Sequence, residues 1–305
     1  MHVTKPTSPS MASVPVCVWP AAAELGEGAH WSRTERALYW VDILGQQLHR
    51  WSPHDRQATT WSFQENISAV VEQAHSPGLM LAMRHSLATW NPHQAHIAPK
   101  VFADLESHCP TNRCNDGKCD ALGRFWIGTM DFAAQQPTGA LYRVDPDGAV
   151  RQLESGFAVF NGPTWTIDQR TMLLNDTVGG RVWAYDFDLA SGELHNRRLW
   201  LQFNDADGKP DGMTTDAMGR IWICHWGGAC VTCHDPRHAN ELMRIHLPVR
   251  LVTSCAFGGD DRRSLFITTA REGLSASSLA QQPLAGGLFE VRLESPGCDA
   301  FHFER

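Results

Sequence analysis

Six polar residues, Glu27, Asn66, Asn115, Asn161, Asp211 and Ser254, each precede a short apolar run by ten to thirteen residues when Leu38, Leu79, Phe125, Met172, Ile221 and Leu265 are taken as equivalent positions. Four of them, Glu27, Asn115, Asn161 and Asp211, combine two carboxylates with two amides, and their oxygens suit a hard or borderline divalent cation. Two carboxylates brought together repel and raise one pKa, and a bound cation removes that penalty. Glycine adjoins three of the four, in LGEGAHW, FNGP and PDG, where it lets the backbone turn sharply. Any one of these motifs alone would read as a turn. Their shared phase favours a common site.

Residues spread over so much of the chain meet only if the fold repeats. Strand-like runs recur as ALYWVD (37–42), LMLAM (79–83), RFWIGT (124–129), TMLLND (171–176), RIWICH (220–225) and SLFITT (264–269), with starts spaced by roughly 40 to 50 residues, the spacing of propeller blades. Each is followed by a second run, such as QLHRWSP, ALYRVDPDG or RVWAYDFD, most of them ending in turn residues. The runs are short, β-branched or aromatic, and bounded by Gly, Pro and Asp, which excludes a helical reading. Twelve strands in six pairs that bury little alone predict an all-β fold, a six-bladed β-propeller with little helix. The segment entering each blade is then the innermost strand, and residues at one phase ring a mouth of the central channel.

Other candidates read as structural. Asp42, Thr129, Asp176, His225 and Thr269 share a phase after the strand marker, where polar side chains cap turns. Cys230 and Cys233 form a CxxC within a strand-like run, where i and i+3 face opposite ways, and Cys114 with Cys119 supplies no second zinc pair. Lys and Arg are scattered in a chain of net charge -7, so no basic stripe exists for nucleic acid. Residues 1–14 read as a polar tail without an export signal, and residues 15–305 as a single propeller domain. No window is apolar enough for a membrane span, and nine cysteines without framework spacing suggest reduced thiols in a cytoplasm.

Six ordered motifs resemble the senescence marker protein and gluconolactonase family, which includes regucalcin and bacterial sugar lactonases: LGEGAHW (25–31), ALYWVDI (37–43), NRCNDGKCDALGRFWIGTM (112–130), FNGP (160–163), PDGMTTDAMGRIWICHWGG (210–228) and CAFGGDDRRSLFITTA (255–270). The similarity runs from Cys17 to Val291, and residues 268–291 look like bacterial aldonolactonases. It implies that Glu27, Asn161 and Asp211 bind one divalent metal, whether calcium, zinc, manganese, magnesium or ferrous iron, and that Arg113 and Asn115 contact a sugar lactone. Two departures stand out. Ala29 replaces the usual proline, and Ala133 stands where some animal members place a sugar-contacting acid, with Asp131 a possible substitute.

The reaction implied is metal-assisted attack of water on a lactone carbonyl, with Asp211 as the general base. No GxSxG context supports a serine hydrolase. The alternatives are another esterase or phosphotriesterase of the same fold, as in paraoxonase-like propellers, and a non-catalytic propeller that binds calcium.

Overall fold

Each apolar run is the second strand of a four-stranded antiparallel sheet. The computed structural model describes residues 13–305 and arranges them in six such sheets. Their innermost strands are Gly26–Ser32, Ile67–Glu72, Asn112–Cys119, Phe160–Trp165, Lys209–Thr215 and Val252–Gly258, which begin blades one to six. Successive innermost strands lie side by side, and that of blade six returns to that of blade one. The chain is thus the expected six-bladed propeller, with one six-residue α-helix, Ala276–Gln281, among the described residues.

Four strands per blade exceed the two per blade visible in the apolar pattern. The outermost strands of blades one to five, such as Gln57–Ser62 and Glu193–Gln202, are mostly solvent-exposed and carry no apolar alternation. The sixth blade takes its outer strand from the other end of the chain: Val16–Trp19 pairs with Leu288–Arg292. Joining the two ends inside one sheet closes the ring without an open edge. Most of the expected tail, residues 1–12, lies outside the described residues, while Ser13 hydrogen-bonds Arg292.

Apolar clusters fill the seams between blades. Trp126 and Phe157 of blade three pack with Phe160, Trp165 and Tyr185 of blade four, and each fully buried side chain of this size contributes about 1.5–3 kcal/mol. A polar pin repeats beside this core. In CDALGRFW, Asp120 accepts from the Arg124 Nε (2.7 Å), the Trp126 indole (2.8 Å) and two backbone amides. In TDAMGRIW, Asp216 does the same for Arg220, Trp222 and two amides.

All six innermost strands shift register against their neighbours near their first residues, between Glu27 and His30, Ile67 and Ala69, Cys114 and Gly117, Asn161 and Thr164, Pro210 and Met213, and Val252 and Cys255. Such a bulge adds one unpaired residue and re-aims side chains, and here it does so around the channel.

Candidate functional site at the channel mouth

A cavity of about 350 Å³ opens at the end of the channel where the innermost strands begin, and Glu27, Arg113, Asn115, Asn161 and Asp211 all line it. Glu27 and Asn161 hold the last paired positions before their bulges, whereas Asn115 and Asp211 lie within theirs. The shared phase read from sequence is therefore offset by one ladder position, yet the four side chains reach one pocket. Asn66 and Ser254, the other two members of that phase, do not line it. The Asn66 amide donates to the Ile43 carbonyl (2.7 Å), and Ser254 packs behind Gly212.

Local sequence explains the tight convergence. Gly162 has φ +53°, and a Cβ there would lie 2.8 Å from the Asp211 carbonyl oxygen, so only glycine lets blades four and five approach this closely. Asp211 is held through its backbone. The Asn175 amide donates to its carbonyl, and the Thr177 hydroxyl donates to the Pro210 carbonyl at 2.8 Å.

A hydrogen-bonded chain joins blades three and four. Arg113 donates to the Asn115 side-chain oxygen, the Asn115 amide donates to the Asn161 Oδ1 at 2.8 Å, and the Asn161 amide donates to Thr177 at 3.1 Å. The Arg113 guanidinium lies 5.8 Å from the centroid of the Phe132 ring, and its buried Nε has no partner.

The carboxyls are in an uncomfortable state. Glu27 and Asp211 are buried on the wall of one cavity, and the Asp211 Oδ1 has no partner. Burial pushes the Asp211 carboxyl well above the usual carboxylate range, and the nearby Glu27 and Asp116 charges push it further. Glu27 is raised by burial first and by Asp116 second. Buried carboxyls that cannot ionise comfortably, and an orphaned acceptor among them, are suited to a divalent cation. Among the described residues no group of three His, Cys, Asp or Glu is placed to share a metal, so a cation here would need amide oxygen from Asn161.

Asp116 was not singled out in sequence. It follows Asn115 in the same bulge and accepts the Gly162 amide at 3.0 Å, so it braces the turn that carries Asn161. Its only sequence signal is its place within NRCNDG. Asp131 caps a turn instead of facing the site. Its Oδ2 accepts the Gln135 and Gln136 amides, each at 2.9 Å, and it does not line the cavity. The adjoining Phe132 and Ala133 do line it, with Glu272, Lys209 and Trp226.

The residues read as structural are so. Asp42 accepts three backbone amides, Asp176 accepts the Gly179 amide, Thr129 donates to the Glu106 carboxyl, His225 bonds the Asp207 carbonyl and Thr269 donates to the Gly287 carbonyl. Burial pushes the Cys230 thiol to about 11 and the Cys233 thiol to about 12. A second cavity, of about 230 Å³, lies at the opposite end of the channel, lined by later residues of the same strands, such as Trp31, Lys118 and Trp165, and by Cys298–Phe301 near the C-terminus. It lacks the carboxyl and amide cluster.

The family model described as SMP-30/Gluconolactonase/LRE-like region matches residues 25–271. A Bacillus subtilis protein named "Putative sugar lactone lactonase YvrE" is 34% identical over 275 residues, covering 90% of this chain and 93% of its own. Regucalcin of Danio rerio is 34% identical over 285 residues, covering 92% and 95%. A solved structure of a calcium-binding protein, regucalcin, from Agrobacterium tumefaciens superposes with a TM-score of 0.91 at 27% identity, covering 96% of this chain and 98% of that one.

Proposed function

Because the chain belongs to the SMP-30/gluconolactonase/LRE-like family, we propose that it hydrolyses sugar lactones, aldonolactone to aldonic acid, in carbohydrate catabolism, with Glu27, Asn161 and Asp211 holding one divalent cation. The observation that carries this reading is the unpartnered Asp211 Oδ1, buried beside Glu27 on the wall of a cavity large enough for a monosaccharide ring. The residues present fit a cation, since two crowded carboxyls and an amide oxygen supply acceptors alone. When bound, the cation supplies a Lewis acid that polarises the lactone carbonyl and offsets the charge that develops on its oxygen.

The protein groups divide the remaining work. Asp211 accepts a proton from the water that attacks the carbonyl carbon, and returns it to the ring oxygen as the ester C–O bond breaks, leaving a carboxylic acid and a new hydroxyl. Arg113 has a free Nε with which to donate to substrate oxygen, and its link to Asn115 fixes both side chains before substrate arrives. Phe132 and Trp226 provide faces for the apolar side of a sugar ring.

The name of the Agrobacterium relative supports a second reading, in which the site binds calcium without turnover. An arginine and two aromatic rings around the carboxyls favour an organic substrate instead. A neutral apolar ester or phosphotriester is a poorer match to a wall carrying Glu27, Asp211, Glu272, Lys209 and Arg113. We also propose a cytoplasmic location, supported by nine cysteines that are all free. The test is a panel of aldonolactones, simple esters and phosphotriesters, assayed on apoprotein reconstituted with calcium, magnesium, manganese, zinc or ferrous iron. Cation binding with no turnover on any substrate would leave the binding reading in its place.

A further inference from the structure

Three carboxyls line the cavity, and two of them, Glu27 and Asp211, crowd together at the cation site. The third is Glu272. It lies in the loop after Ser264–Thr269, the second strand of blade six, and its side chain is half-buried with no protein hydrogen bond or ion pair among the described residues. Lys209, the other charged wall residue besides Arg113, is already paired with Asp205.

Glu272 is firmly placed. Its amide and that of Arg271 both donate to the Glu24 carbonyl at 3.0 Å, and Ala270 bridges to Leu25. Glu24 and Leu25 lead directly into the strand that carries Glu27, so the loop and the cation site share one anchor. The strongest opposing charge felt by the Arg113 guanidinium is that of Glu272, yet no ion pair closes between them. The pocket therefore presents, beside the Arg113 guanidinium, a carboxylate acceptor that has no protein partner among the described residues. That pairing is matched by a ligand carrying several hydroxyls, each of which both donates and accepts.

We infer that Glu272 is a specificity-determining residue that accepts hydrogen bonds from the hydroxyls of a polyhydroxylated lactone, opposite Arg113, so that the site prefers aldonolactones over unsubstituted lactones. This rests on the lactonase reading given above. A half-buried acceptor that meets a hydroxyl adds binding energy for a polyol that a lactone without hydroxyls does not receive. The side chain acts on binding of the polyol part, while the proton transfers at the carbonyl belong to Asp211.

The test compares wild type, Glu272→Gln and Glu272→Ala, all cation-loaded, on an aldono-1,4-lactone and on γ-butyrolactone, which has no hydroxyls. Glu272→Ala is expected to raise KM for the aldonolactone by about tenfold with little change in kcat, and to leave kcat/KM for γ-butyrolactone near the wild-type value. Glu272→Gln, which keeps one acceptor oxygen, should fall between. Equal effects on both substrates, or none on either, would overturn the assignment. Calorimetric binding of the corresponding aldonolactam, whose ring nitrogen resists hydrolysis, separates this inference from the wider reading. Lactam affinity that depends on Glu272 in a protein with no lactone turnover would sink the hydrolase and keep the subsite. Lactone turnover with lactam affinity indifferent to Glu272, or no lactam binding at all, would sink the subsite.

Discussion

The Nδ2 of Asn115 donates to the Oδ1 of Asn161 at 2.8 Å, across the seam between blades three and four. Together with the bond from the Asn161 amide nitrogen to Thr177, it fixes the orientation of the Asn161 side chain. Removing the donor frees the amide to rotate. Asn115→Ala is expected to weaken divalent-cation affinity by about tenfold, the effect usual for an outer-shell partner, in addition to any loss of substrate contact. Arg113→Ala, one step further from Asn161, should bind cation almost as wild type. Calorimetric titration of both variants checks this, and undiminished affinity in Asn115→Ala would show that Asn161 needs no such support.

Asp116 adds a third negative charge behind Glu27 and Asp211 while bracing the Gly162 amide. Asp116→Asn keeps an oxygen for that amide and removes the charge. The variant should bind cation about tenfold more weakly, and its metal-free form should be more stable than metal-free wild type at neutral pH, since like-charge repulsion falls. A denaturant midpoint below that of wild type would show that the brace needs a charged acceptor.

The raised carboxyls give a pH dependence with a defined sign. Glu27 is pushed from 4.5 to about 8 in the folded protein, and Asp211 also lies well above its usual range. A folded-state pKa above the unfolded one contributes stability that is complete below the unfolded value and is lost as pH rises through the folded one. Chelated protein should therefore show a falling Tm as pH rises through this window. A bound cation favours the ionised carboxylates and should remove most of the fall. Parallel Tm profiles for chelated and cation-saturated protein would contradict a cation at these residues.

Asp216 is fully buried and satisfies Arg220, the Trp222 indole and two backbone amides. Asp216→Ala strands those donors and is expected to destabilise the fold by about 3–5 kcal/mol, the range for breaking a buried ion pair. Its position outside the cavity lining predicts an unchanged KM in the folded fraction. Chemical denaturation together with steady-state kinetics at low temperature reads both quantities.

The second strands of the blades were the most legible part of the sequence, and ALYWVD and TMLLND coincide with Ala37–Asp42 and Thr171–Asp176. Their side chains are almost all buried, so apolar composition marks them. Outer strands such as Gln57–Ser62 escaped because solvated edges need no such pattern, and Val16–Trp19 because its partner, Leu288–Arg292, lies at the other end of the chain. The convergence of Glu27, Asn115, Asn161 and Asp211 was legible from repeat phase, although a bulge in every innermost strand blurs that phase by one residue. Asn66 and Ser254 share the phase but not the pocket. Glu272 was invisible to phase because it lies in a loop after a second strand, brought to the site by backbone bonds to Glu24.

Asp211→Asn tests most directly whether the site catalyses hydrolysis with this carboxylate as base. Asparagine keeps an oxygen for the cation, and the Asn175 bond to the residue 211 carbonyl does not involve the side chain. The measurement is kcat on the best aldonolactone at saturating cation. If Asp211 takes the proton of the attacking water, kcat falls by about 10² to 10⁴ and added cation does not restore it. A kcat within about threefold of wild type at saturating cation would contradict the assignment, because losses that mass action repairs belong to cation binding alone.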